Sequence, residues 1–382
     1  MLRILFFAAV MKIVIAMDSF KGTISACEAC EIVATAIAEY IPNAQLVIKP
    51  MADGGEGTAE AMLKSVSGEW IPKTVTGPLP DMSVEAGFAW FENSRTALVE
   101  MACASGLSLL SKEQYSPMKT TTYGTGQLMK AALEYHPRKI LLGVGGSATV
   151  DGGIGAATAL SWKFLDSKGI QVPPCGEGLA KIAEIVRPPQ AIDVAVEVLC
   201  DVQNPLCGEH GAAKIYGPQK GATPEMVNKL EAGLVNLAEL VRKQLNCDID
   251  IPGAGAAGGL AAGAVAFMKA KLVSGIKTII SHSNLEAELI DADWIITGEG
   301  CFDQQSLYGK VVSGIAEVTS HTNTAVVVIA GQVNLSGQEY QKLGIATAIS
   351  CKPKDMSIES ALENCRALLR LAAERFVREN LI

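Results

Sequence analysis

The apolar residues of this chain come in short runs that stop at acidic or glycine-rich turns. Residues 12–17 (KIVIAM) read as a buried strand that ends in the turn Asp18-Ser19-Phe20-Lys21-Gly22. Residues 24–40 read as a helix ended by Pro42, residues 45–50 as a second strand, and residues 57–66 as a second helix. This βαβα opening predicts a doubly wound sheet. The pattern then changes: residues 70–77, 84–91 and 95–101 are strand-like runs separated by turn residues such as Gly77-Pro78, which predicts antiparallel pairing. A helix over 125–135, the strand KILLGVG, and a strand around 195–200 that ends at Cys200-Asp201 follow. Helices are expected over 224–244 and, after Pro252, over the Ala/Gly-rich 256–270. From residue 292 the alternation returns as strand WIITG, helix 309–319, strands AVVVIA and ATAIS, and a closing helix 358–379.

Two N-terminal and three C-terminal strands make one five-stranded parallel sheet, so the fold expected is α/β with two domains. The first is discontinuous, 11–66 plus 288–382. The second, 67–287, is an inserted α/β domain with a mixed sheet. Two sequential domains cut near residue 190 are the rival layout.

Composition narrows the function classes. At 382 residues the chain exceeds one small core. Its 49% hydrophobic content and 37 glycines fit an Ala/Gly-rich α/β enzyme. A net charge of -8 argues against nucleic acid as a partner, yet leaves an anionic small molecule open. Ten scattered cysteines in a chain this long read as reduced thiols of a cytoplasmic protein. Cys27-Glu28-Ala29-Cys30 spells C-x-x-C, but its place in a helix favours packing over redox chemistry. No Cys/His grouping has zinc spacing. Residues 1–10 read as an N-terminal extension or an upstream start rather than an export signal, and no run of about 18 uncharged apolar residues predicts a membrane span.

The chemistry lies in two acidic glycine turns, Asp53-Gly54-Gly55 and Asp151-Gly152-Gly153, each after an apolar run and before an Ala-rich stretch. Glycine lets backbone N–H groups approach a phosphate, and an aspartate in the same turn suits a divalent cation between the two. Acids recur at strand ends: Asp18, Asp53, Asp151, Asp201, Glu299 and Asp303. Ligands of open α/β sheets bind outside those ends. Singly, Asp18 and Asp303 also read as helix caps. Phosphoryl transfer needs an anion cradle, a metal site, cations and a group to orient or deprotonate the acceptor hydroxyl. Gly145, Gly146 and Ser147 offer the cradle, Asp151 a metal ligand, and Lys21 and Lys310 the positive charge. The competing reading is a nicotinamide-dependent oxidoreductase of a small hydroxy acid. It rests on Gly143-Val144-Gly145-Gly146-Ser147-Ala148 after a strand, with Asp166 about 20 residues on. A second match, Gly253 to Gly258, has no preceding strand.

The stretches KIVIAMDSFKGTISA, PMADGGEGT, KTTTYGTGQL, GVGGSATVDGG, CDVQNPLCGEHGAAKIYGPQKGATPEM, DIPGAGAAGGLAAG and WIITGEGCFDQQSLYGK run in order from about residue 12 to residue 330. In these the chain resembles the bacterial glycerate kinases that have a flavodoxin-like domain plus an inserted domain. The resemblance implies ATP-dependent phosphorylation of D-glycerate with Mg²⁺, the 2-hydroxyl favoured over the 3-hydroxyl. Within that frame Asp201 or Asp18 serves the acceptor hydroxyl, and Lys21 and Lys310 neutralise charge. Ser19, Asp53, Gly54, Gly55, Asn204 and Asp303 face the substrate. Gly145, Gly146, Ser147, Gly152 and Gly153 face the nucleotide phosphates, and Asp151 and Glu299 take the metal. The first Asp-Gly-Gly turn is expected to face the small acid and the second the nucleotide, both opening into one cleft. The chain departs from the family pattern at Met17 (for Pro), Val150 (for Asn) and Cys301 (for Arg). The last removes a bidentate anion partner, so an altered acid preference or a binding protein without turnover stays open.

Overall fold

The computed structural model describes residues 10–190, 192–307 and 309–382. The expectation about the N-terminal extension concerns residues 1–10, and residues 1–9 lie outside that range. In chain order the strands are β1 (Lys12–Met17), β2 (Gln45–Ile48), β3 (Glu69–Thr76), β4 (Ser83–Phe91), β5 (Thr96–Glu100), β6 (Lys139–Gly143), β7 (Lys163–Leu165), β8 (Glu184–Val186), β9 (Ala195–Leu199), β10 (Lys271–Val273), β11 (Trp294–Gly298), β12 (Cys301–Phe302), β13 (Ala325–Ala330), β14 (Gln332–Val333) and β15 (Ile345–Ser350). The chain divides into two compact units. Unit 1 holds the described residues up to Ala52 with Glu60–Ser65 and Ile279–Ile382, and unit 2 holds Asp53–Ala59 and Val66–Thr278.

Unit 1 is built on a five-stranded, all-parallel sheet in the order β15-β13-β11-β1-β2. All six residues of β1 are buried, as expected for a strand covered on both faces. The strand order reverses between β1 and β11, which makes their C-terminal ends the switch point where such sheets bind ligands. Ser25 caps the helix Ala26–Tyr40 by accepting the Glu28 N–H at 3.2 Å. Cys27 and Cys30 sit on the buried face of that helix, and burial pushes both thiols up to about 12. That leaves no thiolate for redox chemistry. The closing helix is two, Ile358–Glu363 and Cys365–Asn380. Asn364 separates them with non-helical dihedrals (φ -103°, ψ 13°), while its backbone N–H (3.1 Å) and its side-chain amide (2.8 Å) both donate to the Ser360 carbonyl.

Unit 2 carries a six-stranded sheet, β10-β9-β6-β5-β4-β3. β5, β6, β9 and β10 are parallel, and β3, β4 and β5 are antiparallel neighbours. The short strand β10 and the β7–β8 hairpin are additions that the apolar pattern does not signal. The helix expected over 256–270 spans Ala256–Met268, with left-handed backbone at Ala257, Gly258 and Gly259. Sterics explain the distortion: a Cβ on Gly258 would lie 1.9 Å from the Thr149 carbonyl oxygen, so the turn packs backbone on backbone. All ten cysteines are unpaired. Among the described residues no helix is long and apolar enough to cross a membrane.

Candidate active site

In unit 2 the strand ends gather two of the expected loops. A Cβ on Gly54 would lie 2.6 Å from Leu199 Cβ at the end of β9, and one on Gly145 would lie 2.5 Å from Gly55 Cα. The Asp53-Gly54-Gly55 turn therefore lies against the loop after β6, where only glycines permit the approach. This packing groups Asp53 with unit 2, whereas the sequence reading assigns it to the discontinuous domain. Gly146 is exposed at φ +73°, so the crest of the loop offers backbone to an anion. Asp53 Oδ1 accepts the Gly55 N–H at 3.1 Å.

Asp201 follows β9 and accepts backbone N–H groups from Gly275 (3.1 Å) and Ile276 (3.3 Å), at the start of the helix Gly275–Ser283. Gly275 has no room for a side chain: a Cβ there would lie 2.1 Å from the Asp53 carbonyl oxygen and 2.9 Å from Asp201 Oδ2. Burial pushes the Asp201 carboxyl up to about 6, with a further rise from the Asp53 charge, while Ser274 and the two N–H donors restrain it. A carboxylate poised there is ionised at neutral pH yet basic enough to accept a proton.

The second glycine turn does other work. Asp151 is fully buried, and its oxygens accept from Thr122 N–H (2.8 Å), Thr122 Oγ1 (2.8 Å), Gly153 N–H (3.0 Å) and Gly155 N–H (3.3 Å). Four donors occupy the lone pairs a metal would need, so Asp151 does not fit as a metal ligand. Gly152 and Gly153 are buried with it, in left-handed backbone against Leu237 and Gly263, and do not reach a phosphate. The expectation that both turns open into one cleft thus fails, because this turn is interior packing. Asn204 is committed as well, donating to the His210 carbonyl (2.9 Å) and accepting from Tyr216 Oη (2.7 Å). These two bonds fix the loop after β9.

The sequence reading misses Lys220. Only 2% exposed, it donates to Ser147 Oγ (2.6 Å) and the Thr149 carbonyl (2.7 Å) beneath the Gly145–Ser147 loop. Burial lowers its ammonium to about 7, against the opposing pull of Asp151. Lone lysines are usually solvated, and nothing in GPQKGATPEM marks this one as interior. Glu100 is also missed. Its buried carboxylate accepts N–H groups of Gly57 and Ala59 and so ties down the segment after the Asp53 turn.

In unit 1 the residues after β1 and β11 form a second cluster. Asp18 is buried; its N–H donates to the Gly298 carbonyl (2.8 Å) and its Oδ1 accepts the Ser19 N–H (2.6 Å). Glu299 is buried, Oε1 has no hydrogen-bond partner, and burial raises its carboxyl, opposed by Ser306 and by the positive charges of Lys310 and Lys21. An orphaned carboxylate oxygen among lysines fits one ligand position of Mg²⁺, an ion that usually takes one or two carboxylates and leaves the rest to water and phosphate. No group of three metal-ligating side chains is present among the described residues. Asp303 Oδ1 accepts the Gln305 N–H at 2.8 Å and caps the short turn Gln304–Leu307. Cys301 Sγ lies 3.6 Å from Asp303 Oδ2 and 3.3 Å from Asn334 Nδ2, and burial raises its thiol. It offers no cation where the family pattern has one. Lys310 precedes the helix Val311–Thr319, its N–H donating to Ser313 Oγ at 3.1 Å.

The dinucleotide reading loses its support here. Irregular chain and the buried Asp151 turn separate the Gly145–Ser147 loop from the next helix, Ile154–Ala159. Asp166 closes a turn by accepting the Lys168 and Ile170 N–H groups. The fingerprint requires a helix that opens on the glycines and an acid left to meet ribose.

Comparison with known proteins agrees with that outcome. The family model described as the glycerate kinase family matches residues 13–380. A protein of Halalkalibacterium halodurans named glycerate kinase is 42% identical over 371 residues, covering 94% of this chain and 96% of its own. Glycerate 2-kinase of Escherichia coli K12 is 41% identical over 372 residues, covering 95% and 97%. A crystal structure from Salmonella typhimurium LT2 that carries the name glycerate kinase 2 superposes with a TM-score of 0.83 at 39% identity, over 97% of this chain and 98% of that one. With a parallel-sheet unit, a mixed-sheet unit and acids at the strand ends of both, this chain is a kinase of the glycerate kinase family.

Proposed function

We propose that this chain transfers the terminal phosphoryl group of ATP to the 2-hydroxyl of D-glycerate. The observation that carries the reading is Asp201, a carboxylate held by two backbone N–H groups, with its pKa raised to about 6 beside Asp53. Asp201 accepts the hydroxyl proton as the substrate oxygen attacks phosphorus and ADP leaves. Burial keeps Asp201 basic, and the Asp53 charge adds to the rise by repulsion. The crest at Gly145, Gly146 and Ser147 holds an anionic group through backbone N–H, and Lys220 keeps that loop in shape from beneath. In unit 1, Lys21 and Lys310 bring positive charge to Glu299 and suit an anionic phosphate group. Asp18 and Ser19 order the loop that bears Lys21. Glu299 is the residue that would hold Mg²⁺, which when bound neutralises charge on the phosphate oxygens. Ten unpaired thiols support a reducing, cytoplasmic setting.

The 2-position rests on the Escherichia coli relative, whose name specifies it. The test is ADP formation with a panel of small hydroxy acids. D-glycerate is expected to give the highest turnover, dependent on Mg²⁺, and a phosphorus NMR spectrum of the product to show 2-phosphoglycerate. Absence of glycerate-dependent ADP would overturn the reading, and a 3-phosphoglycerate signal would overturn the positional part.

A further inference from the structure

Unit 1 contains a cavity of about 130 Å³ at the C-terminal edge of its parallel sheet. Four strand ends contribute to it: Lys21 after β1, Gly300 after β11, Gly331 after β13, and Cys351 with Lys352 after β15. The opposite wall is apolar. Ile358, Leu362 and Leu368 come from the two closing helices. Ile358 and Leu362 are 57% and 51% exposed, large apolar side chains left uncovered at the rim of the same cavity. The glycines have separate reasons. Gly331 permits backbone contact, since a Cβ there would lie 2.4 Å from the Gly300 carbonyl oxygen. Gly300 has no such need: a Cβ would meet nothing nearer than 3.8 Å, and its φ is not left-handed. A side chain at 300 would instead stand at the cavity that this residue lines.

The ligand is therefore part apolar and part anionic. The volume lies below the roughly 300–1,000 Å³ of whole-ligand sites, so it suits one ring system rather than a complete nucleotide. A three-carbon hydroxy acid would gain nothing from Leu362 and Ile358, whereas a flat heteroaromatic ring gains its whole face. We propose that this cavity receives the purine base of the phosphoryl donor, with Lys21 and Lys352 at its edge taking the charge of the phosphate chain. The proposal rests on the kinase reading above. It adds that the donor's base is recognised by unit 1, at the edge of the parallel sheet, and that Gln332, with both a donor and an acceptor, is placed to meet the ring edge.

The test uses the full chain and Leu362→Glu, with Ile358→Glu as a second variant. Both positions are already half exposed, so melting temperatures should match the parent. ATP and CTP are compared as donors at saturating D-glycerate, and MgADP and Mg-tripolyphosphate binding is measured by calorimetry. The parent is expected to prefer ATP over CTP by about tenfold or more in kcat/KM. Each variant should lose about tenfold in MgADP affinity and raise KM for ATP about tenfold, and keep tripolyphosphate binding and KM for glycerate. Unchanged MgADP affinity in both variants would overturn the proposal while leaving the kinase reading intact. If the parent shows no glycerate-dependent turnover, the kinase reading fails, and MgADP binding that still depends on Leu362 would uphold the base site alone.

Discussion

Replacing Asp201 by Asn should separate chemistry from stability. In the folded chain the carboxyl moves from 3.8 to about 6, mainly through burial. Each pKa unit corresponds to about 1.4 kcal/mol, so the buried charge opposes folding by at most about 3 kcal/mol, and partial exposure to water reduces this to roughly 1–2 kcal/mol. The sign follows from a raised folded-state value: the favourable contribution is complete below pH 3.8 and is lost as the pH climbs through about 6. Asparagine removes the charge and this loss together. Its amide nitrogen cannot accept, so one of the Gly275 and Ile276 N–H groups loses its partner, at about 1 kcal/mol. The two effects nearly cancel, and Asp201→Asn should unfold within about 1 kcal/mol of the parent at pH 7.5. Turnover should nevertheless fall about 10²- to 10⁴-fold, the usual contribution of a general base. Coupled detection of ADP gives kcat, and urea unfolding at pH 7.5 gives stability. In the parent, kcat/KM should rise through an acid limb near pH 6 that the variant lacks. Turnover within about threefold of the parent, or a stability loss above about 3 kcal/mol, would refute the reasoning.

Asp151→Asn should destabilise by about 2–4 kcal/mol in urea unfolding, because its amide –NH₂ must face either the Gly153 N–H at the Oδ1 position or three donors at the Oδ2 position, and should leave the Mg²⁺ requirement unchanged. Glu299→Gln should do the reverse, raising the Mg²⁺ concentration for half-maximal activity about tenfold while melting stays at or above the parent. Lys220→Met should lose about 3 kcal/mol in the same unfolding assay, since it strands the Thr149 carbonyl and removes the cation near Asp151. A depressed folded-state lysine makes the unfolded chain bind more protons between about 7 and 10.5, so parent stability should rise across that window and the Lys220→Met profile should be flatter.

The strands and most helices were legible in the sequence because each is a local pattern. KIVIAM, WIITG and AVVVIA have strand length and no polar interruption, and they pair in one parallel sheet. Pairs of glycines beside an acid marked the turns at strand ends, and the long match around residues 200–226 identified the family. The closing helix departs from the expected single element at Asn364, where one residue leaves helical dihedrals, a local break that periodicity does not register. What the tertiary structure alone decided is which acids stand at the strand ends and which are enclosed in packing. Asp53-Gly54-Gly55 and Asp151-Gly152-Gly153 read alike as strings, yet Asp151 is enclosed by Thr122, Gly153 and Gly155, while Asp53 lies beside Asp201 at the strand ends. Lys220 carries no mark in the sequence and is interior. Burial, the number of donors around a carboxylate, and the charge of a neighbour distant in sequence set its chemistry, and these are properties of three-dimensional packing, which residue type and spacing do not encode.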